Sequence, residues 1–123
     1  MRFRRIAVCL LILLLVAPAL SWSHAYLVKS TPARRAVLFQ APVRVQLWFN
    51  ERLEAQFSHL SVWDREERQV DLGDVEVGPD DPKKLSVGVP PLAPGTYTVK
   101  FRVLSVDGHI VEAQFPFTLR GSQ

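Results

Sequence analysis

Three stretches of this chain alternate between apolar and polar residues, and this period of two constrains the fold more than any other feature. The alternation covers residues 43–49, 97–103 and 111–117. Because successive side chains of a strand point to opposite faces, each stretch predicts a β-strand with one buried face. Weaker patterns predict further short strands, at residues 26–29, 59–63, 69–72, 75–77 and 84–89.

Turn signals separate these strands and exclude a helical fold. Proline- and glycine-rich loops occupy residues 78–82 and 90–95, and residues 50–57 fit one short helical turn. Pro116 lies inside a strand pattern, so that strand is expected at a sheet edge or at a bulge. About seven short strands in a domain of this size predict an all-β Greek-key barrel or sandwich.

The first 23 residues have the layout of a secretory signal peptide, and residues 24–123 are predicted to form one domain. A basic start precedes an apolar run at residues 6–20. That run has 15 residues, fewer than the roughly 20 that span a bilayer. We therefore expect cleavage and export, with no stable membrane insertion of the mature domain.

The cleavage site decides which residue begins the mature protein. Ser21 and Ser23 fill the −3 and −1 positions of a small-x-small site, so a cut after Ser23 makes His24 the amino terminus. Cuts after Ala19 or Ala25 satisfy the same rule. The first would leave His24 inside the chain, and the second would remove it.

The composition of the mature domain restricts its partners. Residues 24–123 hold 12 Lys and Arg against 12 Asp and Glu, because three further arginines lie in the signal segment. A neutral domain gives no electrostatic reason to expect nucleic acid as a partner. Cys9 and Met1 are the only sulfur-containing residues. A metal site in the mature domain must therefore use imidazole, amine and carboxylate, which favours Cu(II), Zn(II) or Ni(II) over Cu(I).

The tripeptide Asp107-Gly108-His109 connects two of the alternating stretches. Asp-Gly between such stretches predicts a tight hairpin turn, because glycine accepts a positive φ. The plain reading is therefore a turn with an exposed histidine. If the local backbone is extended instead, Asp107 and His109 project to the same side and can bind one ion.

His24 offers a second pair of donors. A free α-amine and an imidazole of one residue can chelate a metal together, and the strand predicted at residues 26–29 would hold this end in place. Together with Asp107 and His109 they form a set of three nitrogens and one oxygen, which suits tetragonal Cu(II). His59 begins a predicted strand between polar neighbours and is interpreted as a surface residue.

Over residues 24–119 the sequence resembles the CopC family of periplasmic copper-resistance proteins. Four segments carry the resemblance: HAYLVKSTP, LWFNERLEAQF, PLAPGTYTVKFRVLSVDGHIV and FPFTL. The resemblance implies a seven-stranded Greek-key β-barrel, cupredoxin-like or immunoglobulin-like. It also implies one Cu(II) ion per chain in a histidine brace, a site in which an amino-terminal histidine binds copper through its amine and its ring.

Carried over to this sequence, the copper ligands are the amine and imidazole of His24, the Asp107 carboxylate and the His109 imidazole. Glu51 corresponds to a family glutamate that orients a ligand. The family function is to sequester periplasmic copper or to deliver it to a CopD-type inner-membrane copper transporter, without enzymatic activity. Some members also bind Cu(I) in a methionine-rich loop; residues 63–74 contain no methionine, so that second site is not expected here.

Two other functions fit parts of the sequence. A copper oxygenase of the histidine-brace type would use the same donors, although no aromatic platform for a polysaccharide is evident. A metal-free, immunoglobulin-like interaction module would use Asp107-Gly108-His109 only as a turn.

Overall fold

The computed structural model describes residues 25–121, which form eight strands and one 3-10 turn at Ala55–Phe57. The strands are β1 (Leu27–Thr31), β2 (Val37–Leu38), β3 (Arg44–Phe49), β4 (His59–Trp63), β5 (Glu76–Val77), β6 (Lys84–Gly88), β7 (Gly95–Leu104) and β8 (Ile110–Leu119). The predicted signal peptide at residues 1–23 and the predicted ligand His24 lie outside the described residues.

The strands form two four-stranded sheets with no strand in common. One sheet has the order β1-β3-β6-β5 and the other has the order β2-β8-β7-β4. All pairs are antiparallel except β2–β8, which is parallel. The chain changes sheet at every connection except β5–β6 and β7–β8. The predicted all-β class is therefore confirmed as a sandwich and not as a closed barrel.

The apolar face of each alternating stretch forms the core between the sheets. In β3, Val45, Leu47 and Phe49 are at most 2% exposed. Burying side chains of this kind stabilises the fold by roughly 1.5–3 kcal/mol each. On the opposite face, Trp48 is half-buried with the Lys29 Nζ atom 4.5 Å from its ring, so the lysine covers part of the indole.

Strands β7 and β8 form a long hairpin that sets the position of the predicted site. Their antiparallel register runs from Gly95 opposite Leu119 to Leu104 opposite Ile110. The carbonyl of Pro116 accepts the Arg35 amide at 2.7 Å, so this part of the proline backbone faces away from β7. The missing N–H therefore costs β7–β8 no hydrogen bond. However, β8 lies between β2 and β7, and its register with β7 is continuous, so the expected edge strand or bulge is wrong.

One short strand was predicted wrongly. Of residues 69–72, Gln69 forms an isolated bridge to Trp63. The Val70 amide donates to the Val62 carbonyl and the Leu72 amide to the Gly88 carbonyl, which belong to different sheets, so no continuous strand forms. The Asp71 carboxylate accepts the Val62 amide at 2.9 Å and the Gly73 amide at 3.0 Å. This side chain replaces the backbone carbonyls that a strand would supply, and the segment becomes a turn. Among residues 25–121, no helix is long and apolar enough to cross a membrane.

Candidate metal site

The β7–β8 turn brings the two predicted ligands of the hairpin together. The Gly108 amide donates to the Ser105 carbonyl at 2.9 Å, and the Ser105 amide donates to the His109 carbonyl at 2.9 Å. Gly108 has a φ of +91°, a value that glycine adopts without strain. The predicted tight turn is confirmed, and the alternative of an extended backbone at residues 107–109 is wrong.

Asp107 and His109 nevertheless face each other, because the turn folds one toward the other. The Asp107 Oδ2 atom lies 3.0 Å from His109 Nδ1, and these side chains are 31% and 34% exposed. Nδ1 itself is buried, and Nε2 is on the far side of the ring. The pair thus presents a carboxylate and an imidazole at one partly open place on the surface.

The Asp107 carboxylate is held in its charged form. The hydrogen bond from Ser105 Oγ is the main cause, and hydrogen bonding from His109 is the next, so that the pKa of Asp107 lies below its ordinary value. A carboxylate that is ionised at neutral pH is ready to bind a cation without first losing a proton.

Ser105 is the residue of this turn that sequence reasoning missed. Its side chain is 1% exposed, and its Oγ donates to Asp107 Oδ1. The same oxygen accepts the His109 amide at 3.3 Å. A signal was present in the sequence, since position 105 continues the buried row of Tyr97, Val99, Phe101 and Val103, where a serine is unexpected.

A second segment, residues 50–53, lies against this turn. Leu53 bridges to Ser105, and the Arg52 carbonyl accepts the Val106 amide at 2.9 Å. These contacts place Glu51, which is half-buried, in the segment next to the turn. Glu51 is thus one residue away from the Arg52 carbonyl that contacts the turn.

The same segment holds the beginning of the described chain. The Tyr26 amide donates to Asn50 Oδ1 at 2.6 Å, and the Asn50 amide donates to the Tyr26 carbonyl at 3.2 Å. Ala25 is only 7% exposed. Asn50 therefore links the start of β1 to the segment that contacts the β7–β8 turn, a role that sequence reasoning did not predict.

The described residues alone do not form a metal site. Within residues 25–121, no group of three or more His, Cys, Asp or Glu side chains is arranged to hold a metal ion. Asp107 and His109 offer two donors, and a metal ion bound at this turn would need more. His59, the first residue of β4, pairs with Arg102 of β7 and is exposed, as its interpretation as a surface residue requires.

The family of this chain follows from comparison with known proteins. The CopC domain model matches residues 27–120, nearly the whole of the described structure. The chain therefore belongs to the CopC family, as its sequence resemblance indicated.

One relative matches this chain over nearly its whole length, and another matches it over only a small part of its own length. Protein YobA of Escherichia coli strain K12 is 33% identical, with 97% of this chain and 96% of that protein covered. Copper transport protein CutJ of Bacillus subtilis strain 168 is 32% identical over 97% of this chain, but the match covers 22% of that protein. The chain thus spans about a fifth of the length of CutJ.

Solved structures of the family have the same fold. CopC from Methylosinus trichosporium OB3b superposes with a TM-score of 0.75 at 36% identity, covering 81% of this chain and 97% of that one. PcoC of Escherichia coli, described as a methionine-rich copper resistance protein, has a TM-score of 0.68 at 30% identity, with 80% and 100% covered. Met1 is the only methionine of the present chain.

Proposed function

We propose that the mature protein is a periplasmic carrier that binds one Cu(II) ion in a histidine brace and delivers it to a membrane copper transporter. The observation that carries this proposal is the 3.0 Å approach of Asp107 to His109 in a partly open turn. Relatives named for copper transport, and family structures named for copper resistance, support copper as the cargo.

His24 supplies the remaining donors in this proposal. Cleavage after Ser23 would give residues 24–123 a free α-amine on a histidine. Position 24 is one peptide unit, about 3.8 Å between Cα atoms, from Ala25. The hydrogen bonds between Tyr26 and Asn50 hold the start of β1 against the segment that contacts the β7–β8 turn. The proposal requires His24 to reach Asp107 and His109 from this anchored start of β1.

The donor set selects the oxidation state. The mature chain has neither thiol nor thioether, since Cys9 and Met1 belong to the signal segment. An amine, two imidazoles and a carboxylate suit tetragonal Cu(II), whereas Cu(I) prefers sulfur. We expect one Cu(II) per chain, with Glu51 orienting a ligand through a hydrogen bond.

Protons compete with copper for these donors. As the pH falls, protons compete with Cu(II) for the nitrogen donors, while the lowered pKa of Asp107 keeps its carboxylate ionised below its ordinary range. Copper affinity should therefore decrease steadily below neutral pH. A carrier that meets an acidic surface would release its ion more readily there.

The acceptor in this proposal is an inner-membrane transporter of the CopD type. CutJ, a copper transport protein, contains a region similar to this chain, and that region is 22% of its length. A similar domain is therefore part of a copper transport protein. This relationship supports a direct transfer of copper from the present chain to a separate transporter. The ion moves by ligand exchange, so no redox step is required.

Equilibrium dialysis with Cu(II) tests the proposal. The processed protein, with its amino terminus verified by intact mass, should bind one equivalent and give a tetragonal electron paramagnetic resonance spectrum. His24→Ala and His109→Ala should each lower the affinity strongly, while His59→Ala, at the third histidine, should not. Equal affinity of all four proteins would contradict the brace, and no binding by any would contradict the copper function.

A further inference from the structure

Ser105 is a polar residue in a row of buried apolar residues. On β7 the inward-facing side chains are Tyr97, Val99, Phe101 and Val103, each at most 6% exposed. Ser105 is the next position of this row and is 1% exposed. A hydroxyl at such a place loses contact with water and needs hydrogen bonds from the protein.

The hydroxyl obtains these hydrogen bonds from the two ligand residues of the turn. Ser105 Oγ donates to Asp107 Oδ1 and accepts the His109 amide at 3.3 Å. The backbone of the serine is fixed as well, through its amide bond to the His109 carbonyl at 2.9 Å. One buried side chain therefore restrains a carboxylate and the backbone of an imidazole residue at once.

This arrangement determines which oxygen of Asp107 faces the imidazole. Oδ1 accepts from Ser105, and Oδ2 lies 3.0 Å from His109 Nδ1. Without the hydroxyl, the carboxylate loses one of its three contacts, and Oδ1 keeps only the long one from the His109 amide. The His109 amide then retains only the longer contact to Asp107 Oδ1, at 3.4 Å.

We propose that Ser105 is a positioning residue, which fixes Asp107 and His109 for copper before the ion arrives. The inference rests on the proposed copper function and assigns to a buried serine the preorganisation of two ligands. Ligands that are already oriented lose less conformational freedom when the metal binds. Residues that orient metal ligands typically contribute about 10–100-fold to metal affinity.

Ser58 offers a matched control at the same end of the sandwich. It is 4% exposed, donates to the Glu54 carbonyl at 2.8 Å and accepts the Leu104 amide at 3.3 Å. Ser58→Ala therefore removes a buried hydroxyl with the same number of partners. Its partners are backbone groups outside residues 105–109, so the ligand turn keeps its contacts.

The experiment compares Ser105→Ala, Ser58→Ala and wild type, with free Cu(II) as the probe and the processed chain as the protein. Both variants should melt at lower temperature than wild type. Only Ser105→Ala should lower Cu(II) affinity, by about 10–100-fold, and broaden the copper resonance spectrum. Ser105→Thr retains a hydroxyl and should recover part of the affinity.

Hydrogen exchange in the metal-free protein keeps the inference testable without copper. The His109 amide should exchange faster in Ser105→Ala than in Ser58→Ala, because its closer acceptor is lost. Wild-type affinity in Ser105→Ala, an equal loss in both alanine variants, or unchanged exchange at His109 would each overturn the positioning role. Absence of copper binding by wild type would instead overturn the proposed function and leave the exchange result to decide the role of Ser105 in the turn.

Discussion

Leu53 connects the stability of the sandwich to the geometry of the proposed site. It is 6% exposed and bridges to Ser105. Its amide donates to the Pro82 carbonyl at 2.9 Å, and the next amide, of Glu54, donates to the Leu104 carbonyl at 2.8 Å. Leu53 thus buries its side chain in the core, while its backbone joins the segment that contains Asn50 and Glu51 to Ser105, at the start of the turn.

Leu53→Ala should lower the free energy of unfolding by about 2–5 kcal/mol, the usual range for a buried leucine. For a domain of about 100 residues, a loss of about 3 kcal/mol lowers the melting temperature by about 12–24 °C. Since small domains have roughly 5–15 kcal/mol of stability, the variant should remain folded at 25 °C. Its copper affinity should fall about 10-fold, because a support of the ligand turn is loosened.

Leu60 provides the control for this prediction. It is 3% exposed and lies in β4 opposite Phe101, away from the turn. Leu60→Ala should lower the stability by a similar amount and leave copper affinity within about 2-fold of wild type, since ligand positions are unchanged. The experiment combines thermal unfolding with dialysis against Cu(II) below the melting temperature of both variants. Equal affinities in Leu53→Ala and Leu60→Ala would refute the coupling of this segment to the site.

Three further predictions concern the rest of the chain. Gly88→Ala should lower the free energy of unfolding in urea by about 1–3 kcal/mol, because the new Cβ would lie 3.0 Å from Leu72 and 3.1 Å from the Asp74 carboxylate. Gly95→Ala, whose new Cβ would meet its nearest neighbour at 4.0 Å, should change it by less than about 0.5 kcal/mol. Equal losses in the two variants would contradict this prediction. The pKa of Asp74 lies below 3.8, mainly because its carboxylate accepts the Gly88 amide and also because Arg44 is close to it. The stability that the ionised Asp74 contributes to the fold is therefore complete above pH 3.8 and is lost as the pH falls through the lower pKa of the folded state. Asp74→Asn should therefore be less stable than wild type at neutral pH and equally stable in strong acid, and a difference independent of pH would contradict this. A Cu(I) chelator should remove all Cu(I) from the mature protein, because residues 24–123 contain no sulfur ligand; retained Cu(I) would show a site that the donor chemistry does not provide.

The long strands were predictable because their signal is local. Alternation alone identified β3, β7 and β8, since each buries every second side chain. The two-residue strand β2 gave no such signal. Val37 and Leu38 count as a strand because they pair with Thr118 and Leu119, about 80 positions later in the chain, and only the folded chain defines that pairing.

The site was predictable to a similar degree. Residue types and the Asp-Gly turn identified Asp107 and His109, and the structure brings them together. The restraints on them depend on contacts that only the folded chain defines. Ser105 gave a sequence signal, as a polar residue in an apolar row, but not its hydrogen bonds to Asp107 and His109. Asn50 gave no signal, and its role appears only in its bond to the Tyr26 amide. The period of two predicts that a side chain points inward, but not which hydrogen bonds it makes there.

The free amine of His24 is the central claim of this account, and one extra residue tests it directly. The comparison uses two proteins of identical residues 24–123, one beginning at His24 and one retaining Ser23, both verified by intact mass. The account predicts that the extended protein, in which the amine is part of a peptide bond, binds Cu(II) far more weakly and with an altered resonance spectrum. Equal affinity and identical spectra for the two proteins would contradict it.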